Sequence, residues 1–151
     1  MVPLGQEQIL EFRQPKEELI ALMQQGLARE LAVSVQYMWH HVMGKGMASP
    51  AFRTMVKAIS IQEMKHAEAI ADRLDYFGAV PTTRPIEVMV GGDLTKMIAD
   101  DLEAERGSIT LYQNIIKKAD AEGDVVTRNL FEEILAAEED HEAQFSALLA
   151  E

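Results

Sequence analysis

Glu63 and His66 stand three residues apart in the stretch SIQEMKHAEAI, on a helical face that also carries Ile59 and Ile70. A carboxylate on such a face costs on the order of several kcal/mol unless something pairs with it. Glu138 and His141 repeat the spacing, and each pair follows another Glu by 33 residues: Glu30 before Glu63, Glu105 before Glu138. Carboxylate oxygen and imidazole nitrogen without thiolate suit Fe(II), Mn(II) or Zn(II) better than copper or an iron–sulfur cluster. Four ionised glutamates would neutralise two divalent cations. A single Glu-x-x-His reads more readily as an exposed, ion-paired face. Two of them, each preceded by a Glu at one interval on an apolar stripe, point to a buried pair of metal ions.

Those six side chains need helices that hold them at one level. Pro15 can open a first helix that runs to about Met43 and ends at Gly44-Lys45-Gly46. Ser49-Pro50 reads as an N-cap followed by Pro at the first helical position, and the second helix reaches Phe77, stopped by Gly78. The segment AVPTTRPIEVMVGGD is a linker. Asp93 caps a third helix that lasts to about Glu122, and Gly123-Asp124 separates it from a fourth that continues nearly to Glu151. Each helix is about 40 Å long. Two short connections make antiparallel hairpins, while the linker can span roughly 50 Å, the length of a bundle. The expected fold is all-α, a four-helix bundle with one long crossover between helices two and three. It forms a single domain in which residues 1–15 are an N-terminal arm.

Every helix carries an apolar stripe broken by one Glu. Helix one presents Met23, Leu27, Glu30 and Tyr37; helix two presents Ile59, Glu63, His66 and Ile70. Helix three presents Leu102, Glu105, Ile109, Tyr112 and Ile116; helix four presents Ile134, Glu138, His141 and Phe145. Tyr37 follows Glu30 as Tyr112 follows Glu105, so the halves are related hairpins offset by 75 residues. A pseudo-twofold axis would bring all six ligand groups together.

Composition narrows the rest. Hydrophobic residues make up 48% and charged residues 26% of 151, with mean hydropathy near zero, as expected of a soluble globular chain. A net charge of −11 argues against a nucleic-acid partner and is compatible with attracting cations. With no cysteine, disulfides, thiolate metal sites and thiol nucleophiles are excluded. Neither a signal segment nor a membrane span is evident, so the expected location is the cytoplasm and no membrane partner is expected.

At these residues the sequence resembles the bacterioferritins of the ferritin-like superfamily. The matching segments are RELAVSVQYM, IQEMKHAEAIADRL, DLEAERG and EEILAAEEDH. The resemblance implies a di-iron centre in which Glu30 and His66 are terminal ligands of one iron and Glu105 and His141 of the other. Glu63 and Glu138 would bridge. Tyr37 matches a family tyrosine beside the centre, whereas Tyr112 has no role to inherit; alone, either tyrosine could be a satisfied core residue. The resemblance also implies a haem or related iron porphyrin shared by two subunits. Met64 would be its axial ligand, although an ordinary interface methionine is the simpler reading of that residue. Leu31, Met38 and Ile61 are apolar neighbours on that side, and Lys65 and Arg73 could meet porphyrin carboxylates or be exposed charges.

The pattern departs from the family in two places. No fifth helix is expected after the bundle, which favours a dodecamer over a 24-subunit cage, as in a mini-bacterioferritin. The family's inner-surface His and Asp are here Ala58 and Gln62. His40 and His41 are expected at the surface or an interface. Asp100, Asp101, Glu103, Glu139, Asp140 and Glu142 are expected on solvated faces, although either group could line an iron path. The implied activity is that of a ferroxidase and iron store, oxidising Fe(II) with O2 or H2O2 and holding mineral in an oligomeric cage. The competing readings are a peroxide-scavenging di-metal enzyme of the rubrerythrin or manganese-catalase kind, and a bundle that binds no metal.

Overall fold

The computed structural model of the chain describes residues 5–13 and 16–150. Its helices are α1 (Gln6–Arg13), α2 (Glu17–Met43), α3 (Ser49–Tyr76), α4 (Leu94–Ala121) and α5 (Val125–Leu149). The four long helices are those expected; the Pro15 start lies outside the described residues. Within the arm, α1 docks on the end of α3, where Arg13 Nη1 donates to Tyr76 O at 2.6 Å and stacks over the Tyr76 ring.

Two of the expected caps form. Asp93 Oδ1 accepts Lys96 N–H at 2.8 Å to start α4, and Asp124 Oδ1 accepts Thr127 N–H at 3.0 Å to start α5. Ser49 differs. It already lies inside α3, and its hydroxyl donates to Gly46 O at 2.7 Å, so the turn consumes the group that would have capped. At the other end Phe77 is the C-cap of α3, and Gly78 takes φ +79°, which a side chain would resist.

α2 with α3, and α4 with α5, form the two hairpins; α2 also packs on α4, and α3 on α5. Contacts between α2 and α4 descend in number on one helix as they rise on the other (His40–Asp101, Tyr37–Glu105, Glu30–Tyr112), so the two are antiparallel. The crossover climbs along α2. Gln24 binds Val80 and Thr82, Ala28 O accepts Ile86 N–H, Gln36 Oε1 accepts Met89 N–H, and His40 Nε2 accepts Gly91 N–H.

The core falls into two apolar clusters. One is built on Met23, Leu27, Ile70, Leu74, Ile115 and Phe131, the other on Val33, Phe52, Val56, Ile59, Met97 and Phe145. Burying a side chain of this kind stabilises by roughly 1.5–3 kcal/mol, so these clusters hold the helices in register around what lies between them. On α4 the buried row is Leu102, Glu105, Ser108, Tyr112 and Ile115, which leaves the expected Ile109 and Ile116 half-buried beside it.

Candidate metal centre

Between the two clusters lies a polar layer. Glu30, Glu63, Glu105, Glu138 and His141 are all no more than 1% exposed, and the His66 side chain is 16% exposed. One glutamate comes from each long helix, and the histidines come from α3 and α5, one turn beyond Glu63 and Glu138. All six expected side chains are therefore brought together.

Both imidazoles aim Nδ1 inward. His66 Nδ1 lies 2.9 Å from Glu63 Oε2, 3.0 Å from Glu138 Oε1 and 3.8 Å from Glu30 Oε1. His141 Nδ1 lies 3.0 Å from Glu63 Oε1, 3.7 Å from Glu105 Oε1 and 3.9 Å from Glu138 Oε2. Two groups of ligand atoms result, each with its members within 4.8 Å of one another: Glu30, Glu63, His66 and Glu138, and Glu63, Glu105, Glu138 and His141. Glu63 and Glu138 belong to both.

Tyrosines close the layer symmetrically. Tyr37 OH donates to Glu105 Oε1 at 2.6 Å and faces Asp101 O at 3.3 Å. Tyr112 OH donates to Glu30 Oε1 at 2.5 Å and faces Gly26 O at 3.3 Å. Gly26 makes room for this ring, since a Cβ there would lie 3.1 Å from Tyr112 Cε1.

So many acids in so little water perturb one another. Burial, then the charge of Glu138, pushes the Glu30 carboxyl well above the carboxylate range; burial, then the charge of Glu30, does so for Glu63. Glu105 is pushed up to about 8, by burial first and then by its bond to Glu138. Glu138 moves down: burial opposes this, but Glu105, His141 and His66 crowded around it hold it ionised. His141 is carried up to about 9 against its burial by Glu105 and Glu138. Among the described residues, the buried oxygens Glu30 Oε2, Glu105 Oε2 and Glu138 Oε1 find no hydrogen-bond partner; Glu138 Oε1, though close to His66 Nδ1, is not aligned for one. Orphaned buried carboxylate oxygens beside inward imidazole nitrogens fit the donor set of a pair of hard or borderline divalent cations.

Met64 sits off this layer, 57% exposed, beside an apolar hollow of about 430 Å³ lined by Leu31, Val35, Met38 and Trp39 among others. Three expectations are corrected. His40 is fully buried, its Nδ1 2.8 Å from Asp101 Oδ1, and Asp101 itself is 0% exposed and takes Gln36 Nε2 at 2.8 Å. Burial raises the Asp101 pKa, although His40 opposes this. Both residues do carry a sequence signal, His40 three residues after Tyr37 and Asp101 four before Glu105, on the inward faces. Arg73 is neither free nor aimed at a ligand: it binds Asp124 and Thr127 and stacks over Phe77, tying α3 to the start of α5. His41 remains half-buried, and Lys65, Glu139 and Asp140 are exposed as expected.

The profile described as a ferritin-like domain matches residues 20–151. A bacterioferritin of Desulfovibrio desulfuricans is 33% identical over 127 residues, covering 83% of this chain and 71% of that one. One of Streptomyces coelicolor is 32% identical over 125 residues, covering 82% and 75%. Among solved structures, one described as "ferritin like, diiron-carboxylate proteins" from Bacillus anthracis superposes with a TM-score of 0.85 at 22% identity, covering 88% of this chain and 96% of that one, and bears on the fold alone. The chain belongs to the ferritin-like family and, within it, to the bacterioferritins.

Proposed function

We propose that the chain is a ferroxidase and iron-storage protein. The observation that carries this reading is the pair of ligand groups sharing Glu63 and Glu138. In it Glu30 and His66 are terminal ligands of one iron, Glu105 and His141 of the other, and Glu63 and Glu138 bridge. Two Fe(II) substrates bring +4 to four carboxylates, so loading neutralises the layer and displaces the protons that burial keeps on Glu30, Glu63 and Glu105. Each Fe(II) gives one electron. Two electrons and two protons convert O2 to H2O2, or H2O2 to two waters. Tyr37 and Tyr112 hold Glu105 and Glu30 in place by hydrogen bonds, and the apolar clusters on either side exclude bulk water.

Dimers of the chain would join into a cage, a dodecamer in preference to a 24-mer, in the cytoplasm. No described helix is long and apolar enough to cross a membrane. The half-exposed Trp39, Val35, Ile61 and Met64 favour α2 and α3 as the dimer face. The hollow there would hold part of a haem shared by two copies, with Met64 as the residue that would bind it; a haem so held would supply one-electron transfer.

Aerobic Fe(II) loading followed by size exclusion tests the reading. Iron far above two per chain in a large particle is the expected result. About two per chain in a small oligomer would favour a peroxide-scavenging di-metal enzyme instead. No bound metal would remove both. A Soret band lost in Met64→Leu is expected after haem supplementation; its absence in the parent chain would withdraw the haem.

A further inference from the structure

The 75-residue repeat pairs Glu30 with Glu105, Glu63 with Glu138, His66 with His141 and Tyr37 with Tyr112. Most inward contacts obey it, including the two tyrosine bonds and their backbone acceptors; the exception is His66 Nδ1, 2.9 Å from Glu63, where His141 Nδ1 lies 3.9 Å from Glu138. The outer side of the imidazoles does not. His141 Nε2 meets Gln62 Oε1 at 2.5 Å, a bond from α3 across to α5. The repeat mate of Gln62 is Ala137, whose methyl group offers His66 Nε2 nothing to bind. Exposure follows the same division, 1% for the His141 side chain and 16% for His66.

A neutral imidazole that ligates through Nδ1 carries its proton on Nε2. An acceptor placed on Nε2 fixes that tautomer and the ring plane together, as the outer partners of metal-bound histidines commonly do. Gln62 supplies such an acceptor to His141. Among the described residues, His66 has only its inward contacts to orient it.

We infer that Gln62 is a positioning residue that makes the two metal positions inequivalent: the ion between Glu105 and His141 is retained, and the ion between Glu30 and His66 is the one that exchanges with solvent. The inference rests on the paired-metal reading above and adds a direction of traffic to it. Iron would enter and leave through the His66 half, while the His141 half keeps its ion between turnovers.

The test loads the full chain anaerobically with two equivalents of Co(II) and follows release to EDTA by visible absorption. The parent chain should lose its ions in two equal phases separated by about 10- to 100-fold in rate, the range typical of such outer partners. Glu30→Ala should delete the fast phase and leave the slow one. Gln62→Ala should speed the slow phase toward the fast one, while Gln62→Glu, whose carboxylate accepts the same N–H, should keep it slow. Long-range proton–nitrogen NMR of the Zn(II)-loaded chain should show the His141 Nε2–H tautomer as a slowly exchanging signal that Gln62→Ala loses. A single release phase from the parent with both ions bound, or a slow phase indifferent to Gln62→Ala, overturns the inference. Failure to take up two ions at all would instead overturn the metal-centre reading.

Discussion

Glu63 and Glu138 stand in both ligand groups, whereas Glu30 and Glu105 each stand in one. The shared pair should therefore be worth twice as much metal. Glu63→Gln, which keeps the side chain's size and removes its charge, should abolish binding at both positions; Glu30→Gln or Glu105→Gln should leave one ion per chain after dialysis, counted by elemental analysis. Retention of two ions by Glu63→Gln would show that it does not bridge. The tyrosines make a second residue-scale comparison. Tyr37→Phe and Tyr112→Phe each strip a buried carboxylate oxygen of its donor, which costs about 1–3 kcal/mol in the metal-free chain. Urea unfolding should give losses of similar size for the two, because the halves they serve are built alike. Near-zero loss for Tyr112→Phe would mark it as mere packing against Phe131.

At the scale of elements, the crossover is held by α2 through side chains that the bundle buries. Asp101 on α4 fixes both Gln36 and His40, and these in turn take the N–H groups of Met89 and Gly91. Leaving a buried donor without its acceptor typically costs about 1–3 kcal/mol. Asp101→Ala should lose that much, and hydrogen exchange should speed at Met89 and Gly91 while the Gln24 anchor at Thr82 stays protected. Uniform loss of protection along the crossover would refute the local role. This network also shows where reading the sequence stops. The six ligands were legible because each breaks an apolar stripe and because the 33-residue interval occurs twice. Helix ends were legible at Gly78, Asp93 and Asp124 because a positive φ or a side-chain cap is a local demand. His40 reads as a surface or interface residue and Asp101 as solvated because their partners are each other and a linker whose path no local rule sets. Gln62 went unnoticed as a partner for the same reason: its bond crosses from α3 to α5, 79 residues away. Ser49 was misjudged because two acceptable uses of one hydroxyl compete, and the turn at Gly46 wins.

For the whole molecule, the polar layer ties stability to pH and to metal. Glu105 binds its proton with a pKa near 8 in the folded chain against an ordinary 4.5, and His141 near 9 against 6.5. Both values are raised, so folding takes up protons that the unfolded chain releases. The corresponding stability is complete below the ordinary values and drains away as pH climbs through about 4.5–8 for Glu105 and 6.5–9 for His141. Burial shifts Glu30 and Glu63 in the same direction. Glu138, held low, contributes stability above its ordinary value of 4.5 and loses it in acid. The metal-free chain should thus melt highest near pH 5–6 and progressively lower toward pH 9. Divalent cations replace those protons with charge that does not titrate, so in the loaded chain the slope between pH 5 and 8 should vanish or reverse. Binding must release the displaced protons, and calorimetry in buffers of differing ionisation enthalpy should count them at neutral pH. A metal-free melting curve that rises from pH 6 to 9 would mean that the four carboxylates already share their charge without cations, and the layer would then be a structural network rather than a vacant ligand set.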